Sequence, residues 1–512
     1  MNFEELDRRL NSAINIKELW LETYLDVYRY VTPNRDDRNL YGDYVNDAKS
    51  RTIDIHDPTA MLAAYQRANE LQGLIIPESR TWGNFEVAKN ISNPINQIDL
   101  DDFNSKINDA LNSSDLQVAS GGAFLDLTIG MGALYARSPS DEIPLSFKAI
   151  SSLAVYPEFT TENLIDTVWT KHALTGRQIL DNYKKYKGTQ KSVLLSKPED
   201  VFFVWIGEVK EKDKYFTYTV LDSDRLTPLF EEEKSYKRFT IFRDRVRPGE
   251  VQGRGIAMDL FPHIRDLNTL VGDFKKVMDY KANPPMFYDT SSKFNPYAVQ
   301  NSISGAYLPM VNGRPPIEAM QTPEAPEVIE IIRDMRNAIL EGFKIDELGD
   351  IQSPVRSATE VSIRENRAQR TSATNIARLI LEFPKEIYKT SAHILNDRQL
   401  LGNKIDINDK RLRFNYTSPL LDIQKQSNLA SLEQLTEYIQ KSFGENAVLS
   451  AFNLKELIPF INENFNLPHN IINSGDDIQS GIEKVLQQSQ QQQQQPVQPI
   501  SAEPVASPQT LI

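Results

Sequence analysis

The stretch 253-GRGIAMDLFPHIRDLNTLVGDFKKVMDYKANPP-285 decides how this chain is read. Two glycines flank an arginine, and a long amphipathic run follows. Phe261, Ile264, Leu267, Val271, Phe274 and Met278 recur mostly at three and four residues, which predicts a helix over 257–282 with one apolar stripe. Pro284 and Pro285 stop it sharply, because neither can donate the next backbone hydrogen bond and the residue before each is pushed out of the helical region. After the double proline, residues 286–325 are rich in Pro, Ser, Asn and Gly and lose the helical period. Their short apolar pieces predict a small β element. A second helix is expected from Pro326 to Lys344, striped by Val328, Ile331, Ile332, Met335, Ile339 and Phe343. Two helices around a proline-bounded tip make a helical hairpin.

Upstream, Leu10, Ile14, Leu19, Trp20, Tyr24, Val27 and Val31 predict an opening helix ended by Pro33. A second helix is expected after Asp57-Pro58, with Asp57 as cap and Met61, Leu62, Tyr65, Leu71 and Leu74 as its stripe. Residues 100–131 read as a third helix. From Ala133 the period falls toward two, and 149–158, 166–174, 201–208, 215–221 and 239–243 read as strands, with 201–208 and 215–221 forming a hairpin. A short helix, 175–186, interrupts them. Beyond a polar break at 345–358, a long helix is expected over 357–401, interrupted near Pro384. Residues 408–419 read as a short strand or loop, and helices follow over 427–442, 453–465 and 476–488. The glutamine run and Pro-Ser-Ala end, 490–512, hold too little apolar surface to fold alone. The fold class is therefore α+β, mainly helical.

Composition excludes several functions. The chain has 512 residues and no cysteine, so disulfides, thiolate nucleophiles and iron–sulfur clusters are out. A formal charge of -13 argues against general adhesion to nucleic acid or anionic lipid. No apolar run approaches the roughly 20 residues of a membrane span, and the start is acidic and polar, so a cytosolic, membrane-free protein is expected. No P-loop and no G-x-S-x-G elbow occurs, and His56, His172, His263, His393 and His469 form no metal-ligand pair. Gly130-Met131-Gly132 lacks the third glycine of a dinucleotide loop and is read as close packing between elements. Asp99, Asp101 and Asp102 are read as a solvated helix start rather than a calcium loop. No cofactor and no metal are expected, and an enzyme is the weaker hypothesis.

Several blocks, in order, resemble the head-to-tail connecting (portal) protein of short-tailed bacteriophages. They are WLETYLDVYRYVTPNR (20–35), HDPTAMLAAYQRANELQGLIIPESRTWGNF (56–85), FLDLTIGMGAL (124–134), TGRQ (175–178), the opening stretch at 253–285, and SATEVSIR (357–364). Gly83-Asn84, between Trp82 and Phe85, departs locally from the family pattern. The likeness covers nearly the whole chain. It implies a wing at 1–255, stem helices at 256–283 and 326–344, a clip at 284–325, a tunnel loop at 345–357, a long helix at 358–402, a crown at 403–486 and a tail at 487–512. It further implies a homododecameric, non-enzymatic ring at one capsid vertex. Through this ring double-stranded DNA would pass, with the terminase motor, the major capsid and scaffolding proteins, and later tail adaptor proteins as partners. Another head–tail adaptor ring component is the alternative, and a cytosolic hydrolase a remote one.

Under that resemblance an acidic bore would spare DNA the braking effect of phosphate–lysine or phosphate–arginine contacts. Charges reach only about 8 Å at physiological salt, so wall residues decide. Asp346, Glu347 and Asp350 are the candidates to face the channel. Arg356, Arg364 and Arg367, with Arg370 and Arg378, admit two readings: weak phosphate contacts, or, favoured, ion pairs between subunits. Phe287, Tyr288, Phe294, Tyr297 and Tyr307 are clip candidates, either partner anchors or a small core shared between subunits. The tail is expected to be disordered; the alternative, suggested by the resemblance to some family members, is a structured C-terminal barrel with 479–495 as an extended helix.

Overall fold

A computed structural model describes residues 3–35, 52, 54–78, 81–87, 96–158, 165–212, 214–282, 286–288, 317–319, 326–343, 377–402, 405–409, 411–417, 432–442 and 457. The chain falls into two units, Met1–Ser418 and Pro419–Ile512. Within the first, α1 (Phe3–Val31), α2 (Thr59–Ile75), β1 (Gly83–Val87), α3 (Gln97–Asn112) and α4 (Leu116–Leu127) lead into β2 (Met131–Arg137), β3 (Ser146–Ala149), β4 (Val155–Pro157) and β5 (Val168–Thr175). Two short helices follow, α5 (Gly176–Asn182) and α6 (Lys191–Ser196), then β6 (Val201–Glu211), β7 (Lys214–Leu221), β8 (Asp224–Lys234) and β9 (Phe239–Arg243). The helical hairpin is α7 (Ile256–Ala282) and α8 (Pro326–Phe343), with the strand pair β10 (Met286–Tyr288) and β11 (Ile317–Ala319) between them in sequence. A helical segment at 377–382, then α9 (Pro384–Asp397) and β12 (Leu412–Tyr416), complete the described part of this unit. In the second unit the described part is chiefly one helix, α10 (432–442), with a Glu437–Lys441 pair along it and Leu435 and Tyr438 exposed.

The sheet of 4-5-6-7-8 order is an antiparallel meander. Its side chains alternate faces, as a pleated strand requires. Trp205 and Val209 of β6, Trp169 of β5 and Tyr218 and Val220 of β7 pack with Leu6, Leu10 and Ala13 of α1. On the other face, Val204, Leu221 and Leu229 meet Ile179, Tyr186 and Leu194 around α5 and α6. Gly207 sits beneath the ring of Trp169, where a Cβ would fall under 3.0 Å from the indole. β8 is an edge strand; Pro228 lies at its register shift and Glu231, Glu232 and Glu233 line it, features that discourage further strand pairing. A second sheet, ordered β3-β2-β9, packs on α4, where the rings of Phe124, Phe242 and Phe383 have centroids 4.5–5.3 Å apart.

Several expectations are corrected. Residues 100–131 are not one helix: α3 ends at Asn112, α4 starts at Leu116, and β2 begins at Met131. The break falls at Ser113-Ser114-Asp115, whose side chains bond locally to backbone and to Ser146 and Phe147. In α2 the large residues Leu62 and Tyr65 are exposed, and the buried face is Ala60, Ala63, Ala64, Ala68 and Leu71. Small side chains there let α2 lie close to its neighbours. In α1, Leu19 is 83% exposed whereas Lys17 is buried. Pro58, not Asp57, holds the cap position of α2, though Asp57 Oδ1 still accepts from Thr59 N at 3.0 Å. The strand β8 was not foreseen, nor was β1 pairing with β12 across more than 320 residues. The short helix after β5 ends at Asn182; Thr175 and Gln178 form its capping box. The helix after Pro384 ends at Asp397 rather than 401.

Candidate functional site: the joint beneath the helical hairpin

The glycine-rich motif at 253–255 is the first part of the joint. A Cβ on Gly253 would fall well under 3.0 Å from the carbonyl oxygen of Gly130, and one on Gly255 equally close to Thr128 O. At Gly253 the backbones cross glycine against glycine, and at Gly255 the missing Cβ on that side alone lets the Thr128–Ile129 backbone approach. Gly255 N donates to Ile129 O at 2.8 Å and Ala257 N to Thr128 O at 3.0 Å, so the first turn of α7 is fastened to the α4–β2 junction. Tyr24 Oη donates to Gly253 O at 2.6 Å. Arg254 pairs with Glu250 at 2.8 Å and lies over the Trp20 ring at 4.5 Å. Gly130-Met131-Gly132 is thus close packing, as expected: a Cβ on Gly132 would strike Phe242.

The second part is Asn268, about three turns further along α7. Its Oδ1 accepts from the backbone nitrogens of His56 at 2.6 Å and Asp57 at 3.2 Å, and its Nδ2 donates to Asp54 O at 3.1 Å. Lys275 Nζ donates to His56 O at 2.8 Å, and Gly272 leaves room for the His56 ring. Asp57 in turn is bound by Arg336 of α8 at 2.7 Å. Burial opposes ionisation of Asp57, but hydrogen bonds from Thr59 and Arg336 outweigh it and hold its carboxyl below the ordinary range. The segment before α2 therefore ties both helices of the hairpin to the body.

The third part lies at the end of β9. Arg67 of α2 donates to Phe343 O, the last carbonyl of α8, at 2.9 Å, and lies 3.8 Å from the buried carboxylate of Asp244. Arg243 holds Glu382 through its backbone nitrogen at 2.9 Å and its guanidinium at 2.6 Å.

A buried polar cluster backs the joint. Arg35 grips Asp126, whose carboxylate is wholly buried, through two hydrogen bonds of 2.8 and 2.5 Å, and Tyr28 Oη donates to the same carboxylate at 2.9 Å. Lys17 Nζ donates to Ser152 O at 2.7 Å and to Gln252 Oε1 at 3.3 Å. Burial without a carboxylate partner pushes its amine down to about 7.

Chemically the joint is a fastening. Among the described residues no group of three or more His, Asp or Glu is placed to hold a metal ion. A cleft of about 250 Å³ between α1 and the sheet is lined by Lys17, Lys171, Trp205, Asp222 and Arg225 among others. Its polar groups engage one another, Asp222 accepting from Trp205 Nε1 at 2.8 Å and from Arg225. Among the described residues, no helix is long and apolar enough to cross a membrane.

The hairpin leaves apolar side chains in solvent. Ile264, Leu267 and Val271 of α7 and Ile332, Ile339 and Phe343 of α8 are buried. Ile329, Ile331 and Leu340 of α8, with Met278 and Tyr280 of α7, are exposed. At about 100° per residue, Ile331 falls on one flank of the buried face of α8, and Ile329 and Leu340 on the other.

The channel candidates Asp346, Glu347, Asp350, Arg356, Arg364 and Arg367 lie outside the described residues, as do Phe294, Tyr297 and Tyr307. Phe287 and Tyr288 lie in β10, opposite Glu318 and Ile317 of β11. Sequence reasoning singled out Asp57 and Asn268 separately, on a helix start and in a motif, but nothing in the sequence showed that they meet. Arg67, Arg243, Arg336 and Lys17 in these roles were missed; each looks like a solvated charge in a helix or strand pattern.

Residues 4–472 match the family described as bacteriophage head to tail connecting protein. No curated protein matches. Among solved structures, a chain of the neck of an empty gene transfer agent particle, computed with C6 symmetry, is 10% identical with a TM-score of 0.40, over 80% of this chain and 90% of that one. A chain from the virion of a native gene transfer agent particle is 10% identical with a TM-score of 0.37, over 81% and 91%.

Proposed function

Because the chain belongs to the family of bacteriophage head to tail connecting proteins, whose place is the head–tail junction of the virion, we propose that its copies close into a ring-shaped channel at one capsid vertex, through which double-stranded DNA is packaged and later ejected. The observation that carries this reading is the hairpin α7–α8, fastened to the body by Asn268 and Asp57 and bearing exposed isoleucine on both flanks of α8. A single flank would serve a two-fold pair; two different flanks serve a head-to-tail interface, which closes only as a ring. Twelve copies are taken from the family resemblance.

In this reading α7 and α8 are the stem, and the segment between them, with Phe287, Tyr288, Phe294, Tyr297 and Tyr307, docks first the terminase motor and then tail adaptor proteins. Major capsid and scaffolding proteins meet the ring elsewhere. Asp346, Glu347 and Asp350 face the bore, and Arg356, Arg364 and Arg367 pair with acidic neighbours across subunits. The role is structural and non-enzymatic. Negative-stain imaging of the purified protein tests it: rings with a central hole are expected, and single copies at high concentration would overturn it.

A further inference from the structure

Two consecutive residues at the end of β9 hold both roots of the segment 344–376. Phe343, the last residue before it, is held through its carbonyl by Arg67, and Arg67 lies against Asp244. Glu382, six residues past its end, is held by Arg243 through a backbone nitrogen and the guanidinium. Arg243 and Asp244 are 4% and 3% exposed. Arg243 also donates to Val251 O at 3.1 Å, two residues before the glycine crossing. Helix α8 therefore ends, and the helical segment at 377–382 runs, against one buried point of the body.

We propose that Arg243 and Asp244 act as a shared anchor that couples the two roots of the segment 344–376, with Arg67 and Glu382 as the positioning residues through which each root is gripped. The physical ground is that both grips are partly or wholly dehydrated. Losing the Glu382 carboxylate removes the counter-charge gripped by the buried Arg243 guanidinium, which must then readjust around its remaining bond to Val251 O. That shift moves the backbone it shares with Asp244, and with it the support of Arg67. Ordinary independent helix ends would show no such cross-talk. If the DNA-channel reading holds, a load on the segment 344–376 is delivered to β9 and the glycine crossing rather than to the hairpin alone; the anchor itself does not depend on that reading.

Hydrogen exchange read by mass spectrometry on the full-length protein tests this without DNA or partners. Glu382→Gln is expected to speed exchange at least tenfold in 377–383, and at least threefold in the last turn of α8. Arg67→Gln is expected to do the reverse, with the larger effect in α8 and the smaller at 377–383. Exchange in β5–β7 should stay unchanged in both. Glu382→Asp, which keeps the charge and shortens the reach, should fall between native and Glu382→Gln at both roots, and it supplies the readout should Glu382→Gln fail to fold. Effects confined to the root that carries the substitution, or absent, would overturn the shared anchor while leaving the ring proposal standing.

Discussion

Arg336 and Asp57 lie 2.7 Å apart, joining the middle of one hairpin helix to the start of α2. The two are unequal partners: the Asp57 side chain is 2% exposed, the Arg336 side chain 45%. Asp57 is kept charged by a set of donors, of which Arg336 is one and Thr59 N another. The attachment of the hairpin to the body is thus built around a buried carboxylate and a buried amide, Asn268, seated side by side.

Asn268→Ala removes three hydrogen bonds and leaves the backbone nitrogens of His56 and Asp57 without their acceptor. Each buried group left unpaired costs about 1–3 kcal/mol. A loss of about 2–4 kcal/mol in denaturant unfolding is expected, with faster amide exchange at 54–60. Arg336→Gln should cost only about 1 kcal/mol, since its own end is half in water and Thr59 still serves Asp57. Equal costs for the two would mean that Asn268 is no hub.

The glycine crossing predicts opposite outcomes for the same substitution. Gly253→Ala drives a methyl into the Gly130 carbonyl, and backbone on both sides has no room to yield. Failure to accumulate as folded protein, or a loss above about 3 kcal/mol, is expected. Gly73→Ala, inside α2 with nothing within 4 Å of the new methyl, should stabilise by about 0.5–1 kcal/mol. Comparing thermal midpoints of the two variants checks both; a tolerated Gly253→Ala would remove the crossing as a determinant of the fold.

How much of this was legible beforehand depends on range. The hairpin helices were read almost to the residue, because Pro284, Pro285 and Pro326 bound them and their stripes are regular. The helix starting at Thr175 was expected, although its capping box with Gln178 was not singled out. What stayed hidden was contact across distance: β1 with β12, Asn268 with Asp57, Arg243 with Glu382. Periodicity also misjudged α2, since it weighs size and the buried face there is alanine. It misjudged α1 at Leu19, which belongs to the expected stripe yet is exposed, while Lys17, outside that stripe, is buried.

That lysine carries a pH prediction. Lys17 titrates near its ordinary 10.5 when unfolded and at about 7 when buried. Between those values the unfolded chain holds one more proton than the folded one, so stability rises with pH across this window. Below about pH 7 both states are protonated and the full cost of the buried charge is felt. Lys17→Met lacks this titration. Its thermal midpoint relative to the native chain should therefore be most favourable near pH 6.5 and lose ground steadily toward pH 10. Midpoints that run parallel across that range would show that the amine does not titrate in the fold.

The flanks of α8 give the assembly prediction. Ile331 is 49% exposed and Ile329 56%, so a charge at either position has water around it in the separated subunit and costs that subunit little. Within a ring the same charge would be buried against a neighbour, where an unpaired carboxylate is expensive. Ile331→Asp and Ile329→Asp should each leave the circular dichroism and thermal midpoint of the separated subunit unchanged while shifting the sedimentation profile from rings to single copies. Because a head-to-tail interface brings one flank of each subunit against the other flank of the next, mixing the two variants should give pairs, in which the two intact flanks meet, but not closed rings, since the next junction carries both defects. Closed rings restored in the mixture would show that these two flanks do not face each other across the subunit junction, and the interface would have to be redrawn.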